Sequence, residues 1–289
     1  MFWQTTRHAI DLSRPRVMGI VNVTPDSFAD GGAHATTAAA LAHCERLIRE
    51  GADLLDIGGE SSRPGAAPVA VADELARVLP VLRGALTLGV PVSVDTCKPE
   101  VMREALALGA DIVNDIRALR EPGAIDVVAA HPACGVCLMH MQGEPASMQR
   151  DVLYDDVVRE VAAFLTAQAA ALRARGVGAQ RIVLDPGIGF GKRPEHNLEL
   201  LRRQRELLAA GYPLLVGWSR KSTLGVLTGR AVGDRLAASV AAAIAAFEHG
   251  AAIVRVHDVA ATVDALEVWR AARDNHGFSA AAHAPRSAP

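Results

Sequence analysis

Aromatic residues are scarce in this chain, at 4% of its 289 positions, and alanine fills much of the apolar share. Its core is therefore expected to be built from small and aliphatic side chains. Cysteine is also rare: four residues are too few for a disulfide scaffold in a chain of this length. Cys134 and Cys137 form a C-x-x-C, but within Cys134-Gly-Val-Cys-Leu-Met139, a stretch that reads as a strand. Side chains three apart on a strand face opposite ways, and no second pair completes a zinc site. The two read as small core residues. No sign of charge prevails, with 30 Lys+Arg against 32 Asp+Glu and a net charge of -2. A nucleic-acid partner, which would call for a basic face, is therefore not expected, whereas a small anion held by a few local cations remains open. Long hydrophobic runs are absent. The longest, Ala237 to Phe247, falls well short of the ~20 residues of a membrane span, and Met1 to His8 lacks the apolar stretch of a secretory signal. The expectation is a cytoplasmic protein with no membrane partner.

Nucleotide-binding glycine motifs are missing too. The first apolar strand runs into Val-Asn-Val-Thr-Pro-Asp26 rather than G-x-G-x-x-G. Gly187-Ile-Gly189-Phe-Gly191-Lys192 places Lys where the third Gly belongs, and as a P-loop it fails at Pro186 and Arg193. An open doubly wound sheet thus loses its usual signature.

What is present is a regular alternation. Strands are predicted at Val17–Val21, Leu54–Ile57, Pro91–Val94, Ile112–Val113, Gly135–Met139, Arg181–Leu184, Pro213–Val216 and Ile253–Val256. Helical patterns lie between them, among them Thr37–Glu50, Val71–Leu88, Val101–Leu108, Tyr154–Arg175 and Arg235–His249. Gly51, Gly109, Gly176, Gly211 and Gly250 follow helices, the position where a left-handed C-cap favours glycine. Eight strand–helix units without a composition break predict one α/β domain, a single (β/α)8 TIM barrel. The expected organisation is an N-terminal extension over 1–15, the barrel over 16–276, and a disordered tail over 277–289. The extension could plug the barrel bottom or add a hairpin.

Every apolar strand ends in polar residues: Asn22, Asp56, Asp95, Asn114 with Asp115, His140, Asp185, Ser219-Arg220-Lys221, and Arg255 with His257. Any one of these could be a helix N-cap. All eight strands doing so points to a site at the C-terminal mouth of the barrel. Asp95, Asn114 and Asp185 offer acceptors plus an amide, which suits a flat heterocycle rich in N–H donors. Arg63, Lys221, Arg255 and His257 suit phosphate or diphosphate. Asn22 adds a neutral oxygen or amide beside them, and a Mg2+ held by one amide or carboxylate plus phosphate oxygens would be typical there. Two Gly/Pro/Ser-rich connections, 22–32 with Phe28 and 58–66, have the composition of lids.

Taken together, Met18-Gly-Ile-Val-Asn-Val-Thr-Pro-Asp-Ser-Phe28, Asp56-Ile-Gly-Gly-Glu-Ser-Ser-Arg-Pro-Gly65, Ser93-Val-Asp-Thr96, Val113-Asn-Asp115, Leu138-Met-His-Met141, Leu184-Asp-Pro-Gly-Ile-Gly-Phe-Gly-Lys192, Gly217-Trp-Ser-Arg-Lys-Ser222 and Val254-Arg-Val-His-Asp258 resemble the dihydropteroate synthase family. The resemblance implies a homodimer of barrels. It also implies a Mg2+-dependent transfer of the dihydropterin-methyl group from 6-hydroxymethyl-7,8-dihydropterin diphosphate to 4-aminobenzoate, in folate biosynthesis. Carried over by position, Asp95, Asn114, Asp185, Lys221 and Arg255 would hold the pterin, and Asn22, Arg63, Arg255 and His257 the diphosphate and its metal. Phe28, Ser62, Pro64, Phe190 and Ser222 would form the 4-aminobenzoate pocket. Asp95, Lys221, Arg255 and His257 would carry the catalysis by charge stabilisation, with no covalent intermediate and no essential cysteine. The family commonly reads Ser-Thr-Arg-Pro where this chain has Ser61-Ser62-Arg63-Pro64. One methyl fewer implies a roomier arylamine pocket, in which sulfonamides would mimic the arylamine. Two rivals share the pterin residues. A corrinoid-linked methyltransferase barrel would lack the Ser-Arg-Lys-Ser and Ser-Ser-Arg-Pro segments. A catalytically silent pterin-binding paralogue would be expected to have lost a cation that this chain retains.

Overall fold

The computed structural model describes residues 1–24, 32–61, 65–144, 147–150 and 152–273, with the backbone alone for residues 32–36. Phe28, Ser62, Arg63, Pro64 and the expected tail 277–289 lie outside the described residues. A hairpin opens the chain, with β1 (Phe2–Gln4) antiparallel to β2 (Ala9–Asp11). Then follow β3 (Arg16–Asn22), α1 (Gly32–Arg49), β4 (Leu54–Gly58), α2 (Val71–Ala85), β5 (Val92–Asp95), α3 (Pro99–Leu108), β6 (Ile112–Asp115), α4 (Ala124–Ala130) and β7 (Gly135–Met139). The second half runs α5 (Val157–Ala174), β8 (Ile182–Asp185), α6 (Pro194–Arg202), α7 (Gln204–Leu207), β9 (Leu215–Val216), α8 (Ser222–Thr228), α9 (Leu236–Glu248), β10 (Ile253–Val256) and α10 (Val259–Arg273).

Strands β3 to β10 form one parallel sheet in the order β8-β7-β6-β5-β4-β3-β10-β9. A parallel bridge from Leu184 to Leu214, one residue before β9, closes it. The result is a (β/α)8 TIM barrel. Strand β9 is shorter than the apolar run 213–216 suggests, because Pro213 has no N–H to give to a ladder; its carbonyl still accepts from Leu184 N at 3.0 Å. Helix α5 begins at Val157 rather than Tyr154, since the Asp156 carboxylate caps it by accepting from Val158 N and Arg159 N.

Strand alternation sorts the interior into layers. The lower layer is apolar but for buried Ser93 on β5: Met18, Leu54, Ile112, Cys137, Val183, Leu215 and Ile253 are all buried, with Trp3 of the hairpin packed against them from below. Trp3 is fully buried, and its indole N–H donates to Arg181 O at 2.9 Å. The hairpin is thus also the bottom plug, so the two alternatives left by the sequence are one structure. Two residues further along each strand stand Ile20, Asp56, Asp95, Asn114, Met139, Asp185, Gly217 and Arg255. This layer is mostly polar, and it forms the floor of the barrel mouth.

The outward faces pack under the helices in a second, larger core that contains Cys134, while Cys137 faces the interior. The C-x-x-C thus straddles the sheet. Burial raises both thiols above the ordinary cysteine value, Cys137 well above it, so neither is poised for redox chemistry.

Candidate active site

One cavity of about 610 Å³ opens at the C-terminal ends of the barrel strands. Asn22, Asp95, Asn114, Asp185, Phe190, Lys221, Ser222, Arg255 and His257 all line it. Among the residues to which the resemblance gives a role, these nine are the ones that fall among the described residues. The remaining four, Phe28, Ser62, Arg63 and Pro64, lie outside the described residues.

The floor is organised around Arg255. Its Nε donates to Asp56 Oδ2 at 2.6 Å and one terminal nitrogen donates to Asp95 Oδ2, also at 2.6 Å. Asn114 Nδ2 donates to the same Asp56 oxygen at 3.0 Å. Burial alone would disfavour the Arg255 charge, but Asp56 and Asp95 outweigh it and hold the guanidinium ionised. Burial raises the Asp95 carboxyl against the pull of Arg255. Asp185, on β8, is pushed up to about 6 by burial, with the Gly187 N–H and Lys221 opposing.

Lys221 reaches in from the turn before α8. Burial pushes its ammonium down to about 8 while Asp185 pulls the other way. Its Nζ lies 4.1 Å from the centre of the Phe190 ring, a cation–π contact. Arg220 precedes it in the left-handed region, at φ 60°. There an arginine is strained, and its guanidinium is held outside by Asp258, at 2.6 and 3.1 Å. That backbone turn leaves Lys221 beside the cavity and Ser222 as the first residue of α8. On the next wall, Ser219 Oγ lies 3.0 Å from His257 Nδ1 and accepts from His257 N at 3.2 Å.

The turn after β8 carries Phe190. Gly187 has φ 68°, and a Cβ there would sit 1.9 Å from the His140 carbonyl oxygen, so only glycine fits. Lys192, 2% exposed, ties this turn down by donating to Gly187 O at 3.0 Å, Phe190 O at 3.1 Å and His140 Nδ1 at 2.8 Å.

Two strand-end residues stand apart from the set that the sequence groups at the mouth. His140 does not line the cavity. It follows inward-facing Met139, so its ring turns outward, edge-on to Phe164 at 4.9 Å, and burial together with Lys192 pushes it down to about 2. Asp115 likewise faces away and caps its own turn, accepting from Arg117 N and Leu119 N at 2.7 Å each. Asp56 is the residue whose part in the site the sequence reading left unassigned. Its parity with Asp95, Asn114 and Asp185 was the signal that could have placed it.

The donor set also limits the metal. No group of three His, Cys, Asp or Glu side chains able to hold an ion exists among the described residues. A hard cation held mainly by ligand oxygens and water, with a single protein amide, fits this chemistry; an all-protein cage does not. Asn22, at the end of β3 on the cavity wall, is such an amide.

The chain is thus a TIM barrel with carboxylates, an amide and buried cations layered at its mouth. The family model described as "Pterin binding enzyme" matches residues 18–257. The chain is 54% identical over 275 residues to a dihydropteroate synthase of Neisseria meningitidis serogroup B, covering 93% of this chain and 96% of that one. Its fold is similar to that of Xanthomonas albilineans dihydropteroate synthase with 4-aminobenzoic acid, at TM-score 0.88 and 51% identity over 94% of this chain and 99% of that one. It is also similar to Burkholderia cenocepacia dihydropteroate synthase complexed with 7,8-dihydropteroate, at TM-score 0.85 and 51% identity, covering 98% of each chain. The chain belongs to the dihydropteroate synthase family.

Proposed function

We propose that this protein condenses 6-hydroxymethyl-7,8-dihydropterin diphosphate with 4-aminobenzoate to give 7,8-dihydropteroate and diphosphate. The observation that carries the reading is the floor of the cavity: three strand-end groups, Asp95, Asn114 and Asp185, lie beside Lys221 and Arg255 in one cavity. The carboxylates accept from the N–H groups of the pterin ring, and Asp185 takes the donor edge of its pyrimidine. Lys221 offsets the Asp185 charge, and Arg255 lies against the ring. His257, Arg255 and Arg63 receive the diphosphate. Phe190 and Ser222, with Phe28, Ser62 and Pro64, receive 4-aminobenzoate.

In the reaction the amine lone pair forms the new C–N bond, and the C–O bond to diphosphate breaks with its electrons going to oxygen. The nitrogen then loses a proton to solvent. Negative charge grows on the leaving oxygen, where Arg255 and His257 stabilise it, and positive charge grows on the pterin methylene, which Asp95 stabilises. This is preorganised electrostatics, with no covalent enzyme intermediate. Mg2+ bound to the diphosphate would neutralise part of its charge, with Asn22 as the protein ligand.

The same reading makes the protein a cytoplasmic homodimer and a sulfonamide target. Exposed Val226, Leu227, Val232 and Leu236, late in the barrel, support a self-association face there. Among the described residues no helix is long and apolar enough to cross a membrane.

The test is diphosphate release from the pterin diphosphate with Mg2+, with and without 4-aminobenzoate. Release that depends on 4-aminobenzoate and falls at least about a hundredfold in both Lys221→Ala and Asp185→Asn is expected. Tight pterin binding without release would favour the silent binding protein.

A further inference from the structure

Asp56 is an odd residue to find at the bottom of a binding site. It is fully buried on β4 and does not line the cavity. Its Oδ2 accepts from both Arg255 Nε and Asn114 Nδ2, while its Oδ1 is buried with no hydrogen-bond partner. A buried carboxylate with one oxygen unsatisfied is costly, and Arg255 already has a second carboxylate in Asp95. Charge balance alone would not demand a further anion here.

What Asp56 supplies is orientation. An ionised carboxylate can only accept hydrogen bonds, so it determines which end of the Asn114 amide faces β4. The nitrogen must turn toward Asp56, and Asn114 Oδ1 and the second amide hydrogen are left for the cavity. Asp56 also holds the Nε edge of Arg255 while Asp95 holds a terminal nitrogen, so the guanidinium plane is pinned at two points. Its other N–H groups remain for a bound anion.

We propose that Asp56 is a positioning residue for the pterin-diphosphate half of the site, acting through Asn114 and Arg255 without touching the substrate. The inference rests on the reading of the cavity given above. It predicts a one-sided defect. A misaligned amide and guanidinium weaken binding and turnover of the pterin diphosphate, while Asp56 makes no hydrogen bond to Phe190 or Ser222, which stand on other turns of the 4-aminobenzoate side.

The experiment is steady-state kinetics of the full-length protein carrying Asp56→Asn, which keeps the shape and removes the charge. We expect kcat/KM for pterin diphosphate to fall about a hundredfold, the scale of losses from ångström misplacement. KM for 4-aminobenzoate should stay within about twofold, and thermal unfolding should remain cooperative. In Asn114→Ala and Arg255→Met backgrounds the same change should cost less than about tenfold, because the groups it positions are already gone. Asp56→Ser is run in parallel and should show the same one-sided pattern in case the asparagine variant folds poorly. Wild-type kinetics in either variant, equal rises in both KM values, or full additivity in both backgrounds would overturn the proposal. Wild-type protein that forms no 7,8-dihydropteroate would instead overturn the reading of the site, and the role of Asp56 with it.

Discussion

Lys192 and Lys221 both bring an ammonium group into the protein, and their surroundings use them differently. Lys221 sits over Phe190 beside Asp185 and faces the cavity. Lys192 donates to backbone carbonyls and His140, and burial pushes it down to about 7 against the pull of Asp185. In the unfolded chain its value returns to the model-peptide range near ~10.4. Between those values the unfolded state binds more protons than the folded one, so stability rises with pH across this window and the burial penalty is greatest below it. Lys192→Met should therefore flatten the rise of melting temperature between pH 7 and 10, read by calorimetry at several pH values. Lys221 stays in that variant and keeps part of the slope. A slope equal to wild type would show that Lys192 enters the fold uncoupled from its charge. At this scale the candidate site was partly legible. Asp95, Asn114, Asp185 and Arg255 stand where apolar strand runs stop, a local signal. His140 stands at the same kind of boundary yet faces outward, because one step along a strand reverses the side chain.

Among the elements, the N-terminal hairpin shows how little a short segment discloses by itself. Three-residue strands flanking Thr5-Thr-Arg-His8 have no periodicity worth reading, and Trp3 alone does not say what it covers. In the fold it closes the apolar layer of the barrel. Around it, Arg7 forms an ion pair with buried Asp111, at 2.5 Å, and Asp111 also accepts from Val92 N and Arg7 N at 2.9 Å each. A Cβ on Gly135 would come within 3.0 Å of the Trp3 indole nitrogen, so the plug fits against bare backbone. Trp3→Ala should cost about 3–5 kcal/mol, the range for a large aromatic removed from a core, measured by denaturant unfolding. The folded variant should keep its activity to within about twofold, since the plug lies under the apolar layer and the cavity above it. A loss of activity without loss of stability would contradict that separation. Helix boundaries were legible to within a few residues wherever a cap or glycine marked them, as at Asp156 and Gly109. They were blurred at α2, where the apolar pattern continues to Leu88 after the helix ends at Ala85.

Across the whole molecule the barrel divides its labour along one axis, with stability below and chemistry above. The late helices add a third surface. Val226 and Leu227 on α8 and Leu236 on α9 are about half exposed or more, and apolar side chains grouped this way favour association. Light scattering of the purified protein should give the mass of two chains, and Val226→Glu with Leu227→Glu should shift it toward one. Dimer mass retained in that double variant would move the interface elsewhere.

Composition and order in the sequence alone were enough to determine eight strand–helix units, the glycines that end the helices, and the polar residues that end each strand. These follow from local sterics and from periodicity, and they read directly along the chain. Only the tertiary structure decided which strand ends converge, that Asp56 lies behind Arg255 and Asn114, that His140 and Asp115 turn away, and that the hairpin seals the bottom. Those outcomes depend on strand tilt and register around a closed sheet, which brings residues 160 and 199 positions apart into hydrogen-bond contact at Arg255. No local pattern encodes a distance of that kind.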